Sequence, residues 1–282
     1  MQLYTARANL YLRVYTFCGV SQKRGAFGEK VKASIHQFLP YRDEFIDFIL
    51  YVSLYVDDPE IYKKIFQLFE DLLPYQDPPP STGGFDHVGD NFRFILREMF
   101  LYLIAALIRN DKLQIADTFM SQGYFNASRL GGGQYDESHE PFTAFNTDSR
   151  FIETDQSGQT TGGTGKLLHE RASKSELNFE RLMEADFVLC LRSILDNKST
   201  YDWLWFPRTL VRAQYHAVFP LFAKAESRSG FDNLKVLLGV KSKQELEEKL
   251  NAAIKEEIFK DLKYRPDTIK RLMNFEKLDS RP

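Results

Sequence analysis

The chain has 282 residues, 43% hydrophobic and 27% charged, with a formal net charge of -2. That length supports a substantial hydrophobic core in one large domain or two small ones. The near-balanced charge excludes a global field that would hold the chain on nucleic acid or anionic lipid. Two cysteines, Cys18 and Cys190, stand far apart in apolar surroundings. They form neither a disulfide framework nor a zinc pattern, and read as buried thiols in a reducing compartment.

The first residues, MQLYTARANLYLRVYTF, carry a loose helical pattern over 2–17, with Leu3, Leu10, Leu12, Val14 and Phe17. They lack the basic leader, apolar block and small-residue cleavage site of a signal peptide. A loop is expected over Gln22–Gly28, then a short helix ending at Leu39–Pro40. YRDEFIDFILYVSLYV follows, with Phe45, Phe48, Ile49, Val52 and Tyr55 on one helical face and Ile46, Leu50 and Leu54 widening it. This apolar spread predicts a mostly buried helix. Asp58 and Pro59 suit the cap and first turn of the next helix, in which Ile61, Ile65, Leu68 and Leu72 form a stripe opposite Lys63, Lys64 and Glu70.

QDPPPSTGG breaks the chain. Asp90 is the expected cap of NFRFILREMFLYLIAALIRN, the predicted central core helix. Its apolar run, Met99–Ile108, is too short to cross a bilayer, which takes about 20 residues, and reads as a helix buried on every side. No membrane association is expected, and a cytoplasmic location is. A shorter helix over Lys112–Met120 should pack back on the central one.

Residues 121–166 lose apolar periodicity and are rich in Gly, Ser, Thr, Asn and Asp. They read as a long polar loop insertion, mobile or functional, and deletion of most of residues 136–164 is expected to leave the helical fold near wild-type stability. FTAF and RFIE within it are candidate extended pieces. Helical pattern resumes in LNFERLMEADFVLCLRSILD. Pro207, behind Trp203 and Trp205, should open another helix. FDNLKVLLGV should stop at Gly239, Ser242 and Glu245 should form a capping box, and Pro266 should lie near the last helix start. The expected fold is all-α: a multi-helix bundle of two helical halves, 1–120 and 167–282, around the insertion, together one domain.

Few motifs carry chemistry. TTGGTGKLL looks like a phosphate loop, but a Walker motif needs Gly where Thr160 stands and Ser or Thr where Leu167 follows Lys166. A flexible helix entry is expected instead. His139–Glu140 and His169–Glu170 lack the second His of a zinc site, since Thr143 and Ser173 occupy that place. No metal and no cofactor is expected. Arg208, Arg212 and His216 recur every four residues. On a helix they would make a basic stripe able to meet a phosphate or carboxylate, with Lys224 beyond a possible kink at Pro220. A helical ribonuclease of the HEPN type is one enzyme to weigh, but its Arg-to-His spacing is not met: Arg212 is too close to His216 and Arg208 too far. Arg97 and Glu98 lie in the most apolar helix, and Asp186 is embedded in EADFVLCLR with Arg192 close by. Burying such charges demands partners, so these four are expected to form a buried polar network that fixes helix register. Trp203, Trp205 and Phe206 read as core packing at a helix junction.

The phrases LPYRDEFIDFILYVSLY, NFRFILREMFLYLIAALIR, MEADFVLCLRSIL, WFPRTLVRAQ and FAKAESRSGFDNLKVLLGV resemble a helical region found behind effector domains, such as Toll/interleukin-receptor-like domains, in bacterial immune proteins. The resemblance covers most of the chain. It implies a sensing or assembly module in anti-phage defence, without its enzyme or standing alone, and supplies no catalytic residues. The reading is therefore a non-enzymatic interaction or regulatory module in a bacterial defence or stress-response assembly. A protein partner or a second copy is expected as its ligand, with nucleic acid or a nucleotide possible through the basic stripe. The contact candidates are the insertion and Arg208, Arg212, His216, Lys224 and Lys166. The alternative is an enzyme acting on nucleic acid or a nucleotide through Arg208, Arg212 and His216, with Lys166 as a further candidate.

Overall fold

The structure, a computed structural model, describes residues 24–77, 89–129, 138–146, 149, 152, 162–172, 176–196, 204–210, 218–256, 258 and 265–282. The described residues are 76% helical, with eleven α-helices and one small two-stranded sheet among them. The all-α expectation holds. The expected helix over 2–17 lies outside the described residues. Two compact units emerge, Met1–Leu103 with Gln122–Leu167, and Ile104–Ser121 with Leu168–Pro282.

In the first unit, α1 spans Arg24–Gln37 and buries Val31, Ser34 and Ile35, with Phe38 one turn on. Helix therefore begins inside the expected Gln22–Gly28 loop. Leu39–Pro40 opens the next helix instead of closing this one: α2 runs Leu39–Tyr55 with Pro40 in its first turn. Proline is harmless there because first-turn N–H groups have no intrahelical acceptor. α3 spans Pro59–Leu72, and the Asp58 carboxylate accepts the Glu60 N–H at 2.9 Å. Its buried side chains, Tyr62, Ile65, Leu68, Phe69 and Leu72, keep the spacing of an amphipathic helix.

α4 spans Asp90–Arg109, and Phe94–Ile108 are all buried. Asp90 lies at the first helical position, where it accepts from Arg93 at 3.2 Å. The helix passes from the first unit into the second at Leu103–Ile104.

The insertion departs most from its expectation. β1 (Tyr124–Phe125) pairs antiparallel with β2 (His139–Glu140), and Phe142–Asn146 forms a 3-10 helix, so FTAF is helical rather than extended. Phe145 is fully buried among Phe69, Phe100 and Tyr124, with ring centroids at 5.3, 4.8 and 4.8 Å. Phe142 stacks on Phe100, and Tyr124 stacks on Phe66 at 4.2 Å. The Phe125 N–H donates to Glu70. The described parts of 121–166 thus supply core, not a plain polar loop. Two or three aromatic rings bury enough surface to outweigh an otherwise polar composition. RFIE falls largely outside the described residues.

Past the insertion, α6 spans Gly163–Arg171. A Cβ on Gly163 would lie 1.8 Å from the Ile152 carbonyl oxygen, so this glycine serves a close backbone approach.

In the second unit, α5 (Leu113–Ser121) packs on α9 (Arg228–Leu238). α7 (Phe179–Asp196) buries every residue from Leu182 to Leu195 and contacts α9 and α10 (Lys243–Lys255). The short α8 (Pro220–Lys224) leads to α9, which starts at the Ser227 cap and ends at Gly239 with φ +64°. The Ser242 hydroxyl accepts the Glu245 N–H at 3.1 Å. Glu245 reaches back one residue further than expected, to the Lys241 N–H at 2.8 Å. α11 (Pro266–Leu272) begins at its proline, and the chain end laces onto the α8–α9 turn through Asp279 N–H to Ala225 O and Arg281 N–H to Glu226 O. No helix of the described residues is long and apolar enough to cross a membrane.

Candidate interaction surface

The buried polar candidates divide between the units. In the first, Glu98 accepts from Arg42 at 3.2 Å, with both side chains essentially inaccessible. Arg42 also donates to Asp43 and lies 5.5 Å from the Tyr102 ring centroid. Burial opposes the Arg42 charge, but Glu98, Tyr102 and Asp43 outweigh it, and the guanidinium holds its proton more tightly than usual. Arg97 donates to Asn146, which ties α4 to the 3-10 turn of the insertion.

In the second unit, Asp186 and Arg192 go separate ways. Asp186 accepts from Trp205 Nε1 at 2.6 Å, Thr209 N at 2.8 Å and Thr209 Oγ1 at 2.7 Å. The Trp205 N–H donates to Ser193 Oγ at 3.0 Å. Trp205 is thus fully buried core, as its reading required; Trp203 lies outside the described residues. Arg192 donates to Asp117 at 2.7 Å, Ser121 Oγ at 2.9 Å and Leu237 O at 2.9 Å, and also to Asp196. It gathers α5, α7 and the carbonyl end of α9, where a cation is favoured by the helix dipole. Near Asp186, burial and then that carboxylate push the Cys190 thiol well above its ordinary range, which makes it inert. Within each unit these charges act as register pins: Glu98 with Arg42 and Arg97 with Asn146 in the first, Asp186 with Trp205 and Thr209 and Arg192 with Asp117 in the second.

Of the basic stripe, only Arg208 and Lys224 fall among the described residues, and Arg208 is not helical. Leu204–Thr209 is irregular, so Pro207 opens no helix directly, and Arg208 sits 6.0 Å from the Phe206 ring centroid. Phe219 is extended and α8 starts afresh at Pro220, which separates Lys224 from any register set at Arg208. Lys224 is exposed and paired with Asp111 at 3.2 Å. Arg212 and His216 lie outside the described residues. Lys166 is exposed on α6, between buried Thr164 and Leu167. Among the described residues, no group of three His, Cys, Asp or Glu side chains could hold a metal ion.

A groove of 520 Å³ in the second unit is lined by Ile194, Leu195, Asp196, Lys249, Ala253 and Ile258, among others. Its charges are already engaged, Asp196 with Arg192 and Lys249 with Glu245.

The outstanding surface lies on α2. Phe45, Ile46, Ile49 and Val52 are buried, but Phe48, Tyr51, Leu54 and Tyr55 remain 40%, 60%, 48% and 73% exposed. The expected mostly buried helix thus has an open aromatic side. At 100° per residue, these four and the exposed acids Glu44 and Asp47 fall within an arc of about 120°. Their spacing, 44, 47/48, 51, 54/55, is the seam along which one helix meets another. The Tyr51 and Tyr55 rings approach to 5.3 Å. α2 has one basic residue, Arg42, and it is buried. Beyond the helix, Asp57 and Asp58 add exposed negative charge. The signal was present in the sequence. The Glu44 and Asp47 carboxylates share a sector with Tyr51 and mark it as wet, whereas Arg42 on the opposite side needed an internal acid.

No protein-family model matches the chain. Neither a curated protein nor a solved structure matches it.

Proposed function

We propose that this chain is a non-enzymatic helical interaction module that docks a protein partner on the open face of α2. The observation that carries the reading is the exposed quartet Phe48, Tyr51, Leu54 and Tyr55, on a helix whose other side is core. A contiguous apolar patch with a polar rim costs solubility, and marks a binding surface on a folded protein. Tyrosines suit that role because the ring is covered while the hydroxyl finds a polar partner. On its resemblance to helical regions behind effector domains, we take the module to act in a bacterial anti-phage defence or stress-response assembly, as its sensing or assembly part in the cytoplasm.

The test is site-specific photo-crosslinking in the native host. A photoreactive residue at Leu54 should join the chain to one discrete protein. The same residue at Glu247, exposed on α10, should not. Identical adducts from both positions, or none from position 54, would reject the reading. Loss of phage protection in the Tyr51→Ser, Leu54→Ser double variant, at unchanged circular dichroism, would tie the contact to defence.

A further inference from the structure

We propose that the occupant of the α2 face is a cationic amphipathic helix of a partner protein; this rests on the interaction reading above. The shape argument comes first. The exposed side chains repeat at helical intervals over Glu44–Tyr55, about three turns or 16 Å of helix axis. A row of that period accepts a second helix lying along it, its apolar stripe between Phe48, Tyr51, Leu54 and Tyr55.

Charge then selects the partner. Glu44 and Asp47 stand at one end of the aromatic row, and Asp57 and Asp58 follow the other end, all exposed. The single cation of α2 is turned into the core and held by Glu98. An approaching helix with Lys or Arg beside its apolar stripe meets opposite charge at the end where Glu44 and Asp47 stand, which speeds encounter and rejects acidic competitors.

The same charges argue against a second copy of this chain. An antiparallel pairing of two α2 helices would set Glu44 of one beside Asp57 of the other. A parallel pairing would set Glu44 and Asp47 against themselves. Both oppose like charges at an interface, which costs affinity. The face is also small, so a transient contact at micromolar strength is expected rather than an obligate one.

The experiment uses the full chain and three synthetic fluorescent peptides of about four helical turns each. One is an amphipathic Leu/Lys helix, one the matching Leu/Glu helix, and one a Leu/Lys peptide of scrambled order. Anisotropy should show micromolar binding of the first and at least tenfold weaker binding of the others. Tyr51→Ser with Leu54→Ser should weaken the Leu/Lys complex at least tenfold. Glu44→Gln with Asp47→Asn should weaken it several-fold and flatten its salt dependence. Equal binding of the Leu/Lys and Leu/Glu helices, or affinity unmoved by either double variant, would overturn the proposal. So would a dimer seen in sedimentation and abolished by Tyr51→Ser with Leu54→Ser, since the occupant would then be a second copy. A failed peptide with an intact position-54 cross-link rejects the partner's chemistry alone; loss of both rejects the interaction reading too.

Discussion

Truncating Phe145 to alanine measures whether the Gly- and Ser-rich stretch 121–166 contributes to the core. The ring is fully buried and meets Phe100 stacked at 4.8 Å, Tyr124 edge-on at 4.8 Å and Phe69 edge-on at 5.3 Å. A buried Phe→Ala costs about 3–5 kcal/mol from lost transfer energy and the cavity left behind. Three ring contacts put this site toward the upper part of that range, because each aromatic pair adds roughly 0.5–1.5 kcal/mol beyond area burial. Against a typical domain stability of about 5–15 kcal/mol, that is a large share. At about 2–4 °C per kcal/mol for a unit of this size, Tm should fall by roughly 8–16 °C. Urea unfolding followed by circular dichroism provides the free energy, and the exposed Phe48→Ala, expected within about 0.5 kcal/mol of wild type, is the control. A Phe145→Ala loss below about 1 kcal/mol would refute the assignment of Phe142–Asn146 to the core. It would restore the view that residues 136–164 can be deleted without harm.

Other consequences are equally direct. Glu98→Ala leaves the buried Arg42 guanidinium short of its long-range carboxylate and should cost about 3–5 kcal/mol in urea unfolding. Arg42→Met combined with Glu98→Leu should recover much of that loss, because apolar replacements need no counter-charge. Gly239→Ala should cost about 1–2 kcal/mol from its left-handed φ of +64°, and more if Arg192 must move, since the new Cβ would stand 2.8 Å from the Arg192 Cζ; an unchanged urea midpoint would contradict the contact. Glu245 has its pKa lowered: the Lys241 N–H is the largest cause, burial opposes it, and Lys249 then adds to the lowering. A lowered folded pKa stabilises above the ordinary carboxylate value of about 4.3 and is lost as pH falls through the folded value. The acid limb of stability should therefore be shallower in Glu245→Gln, read as urea midpoints between about pH 5 and 3.

Where the chain's local chemistry decides, sequence and structure agree. Asp58–Pro59, Ser242, Gly239 and Pro266 act at the helix ends they mark, because a cap or a stop is settled by a few neighbouring atoms. The apolar run Met99–Ile108 is buried as its uniform composition requires. Pairing across long separations was not legible. Arg97 with Asn146, Glu98 with Arg42, and Asp186 with Trp205 and Thr209 each join residues whose proximity no periodicity encodes. Asp186 and Arg192 are near in sequence, yet they serve different neighbours.

The sequence by itself determined that this is a helical protein, where most helices begin and end, and that charges inside its apolar helices must be paired. Those outcomes follow from hydrogen bonding and side-chain period within a few turns of chain. Only the tertiary structure decided how far the aromatic side of α2, whose wet sector Glu44 and Asp47 mark, stays open, and that a Gly- and Ser-rich stretch carries core phenylalanines. Burial depends on what the rest of the chain brings alongside, and α2 is apolar nearly all round. Neighbouring elements cover Phe45, Ile46, Ile49 and Val52, and leave Phe48, Tyr51, Leu54 and Tyr55 open.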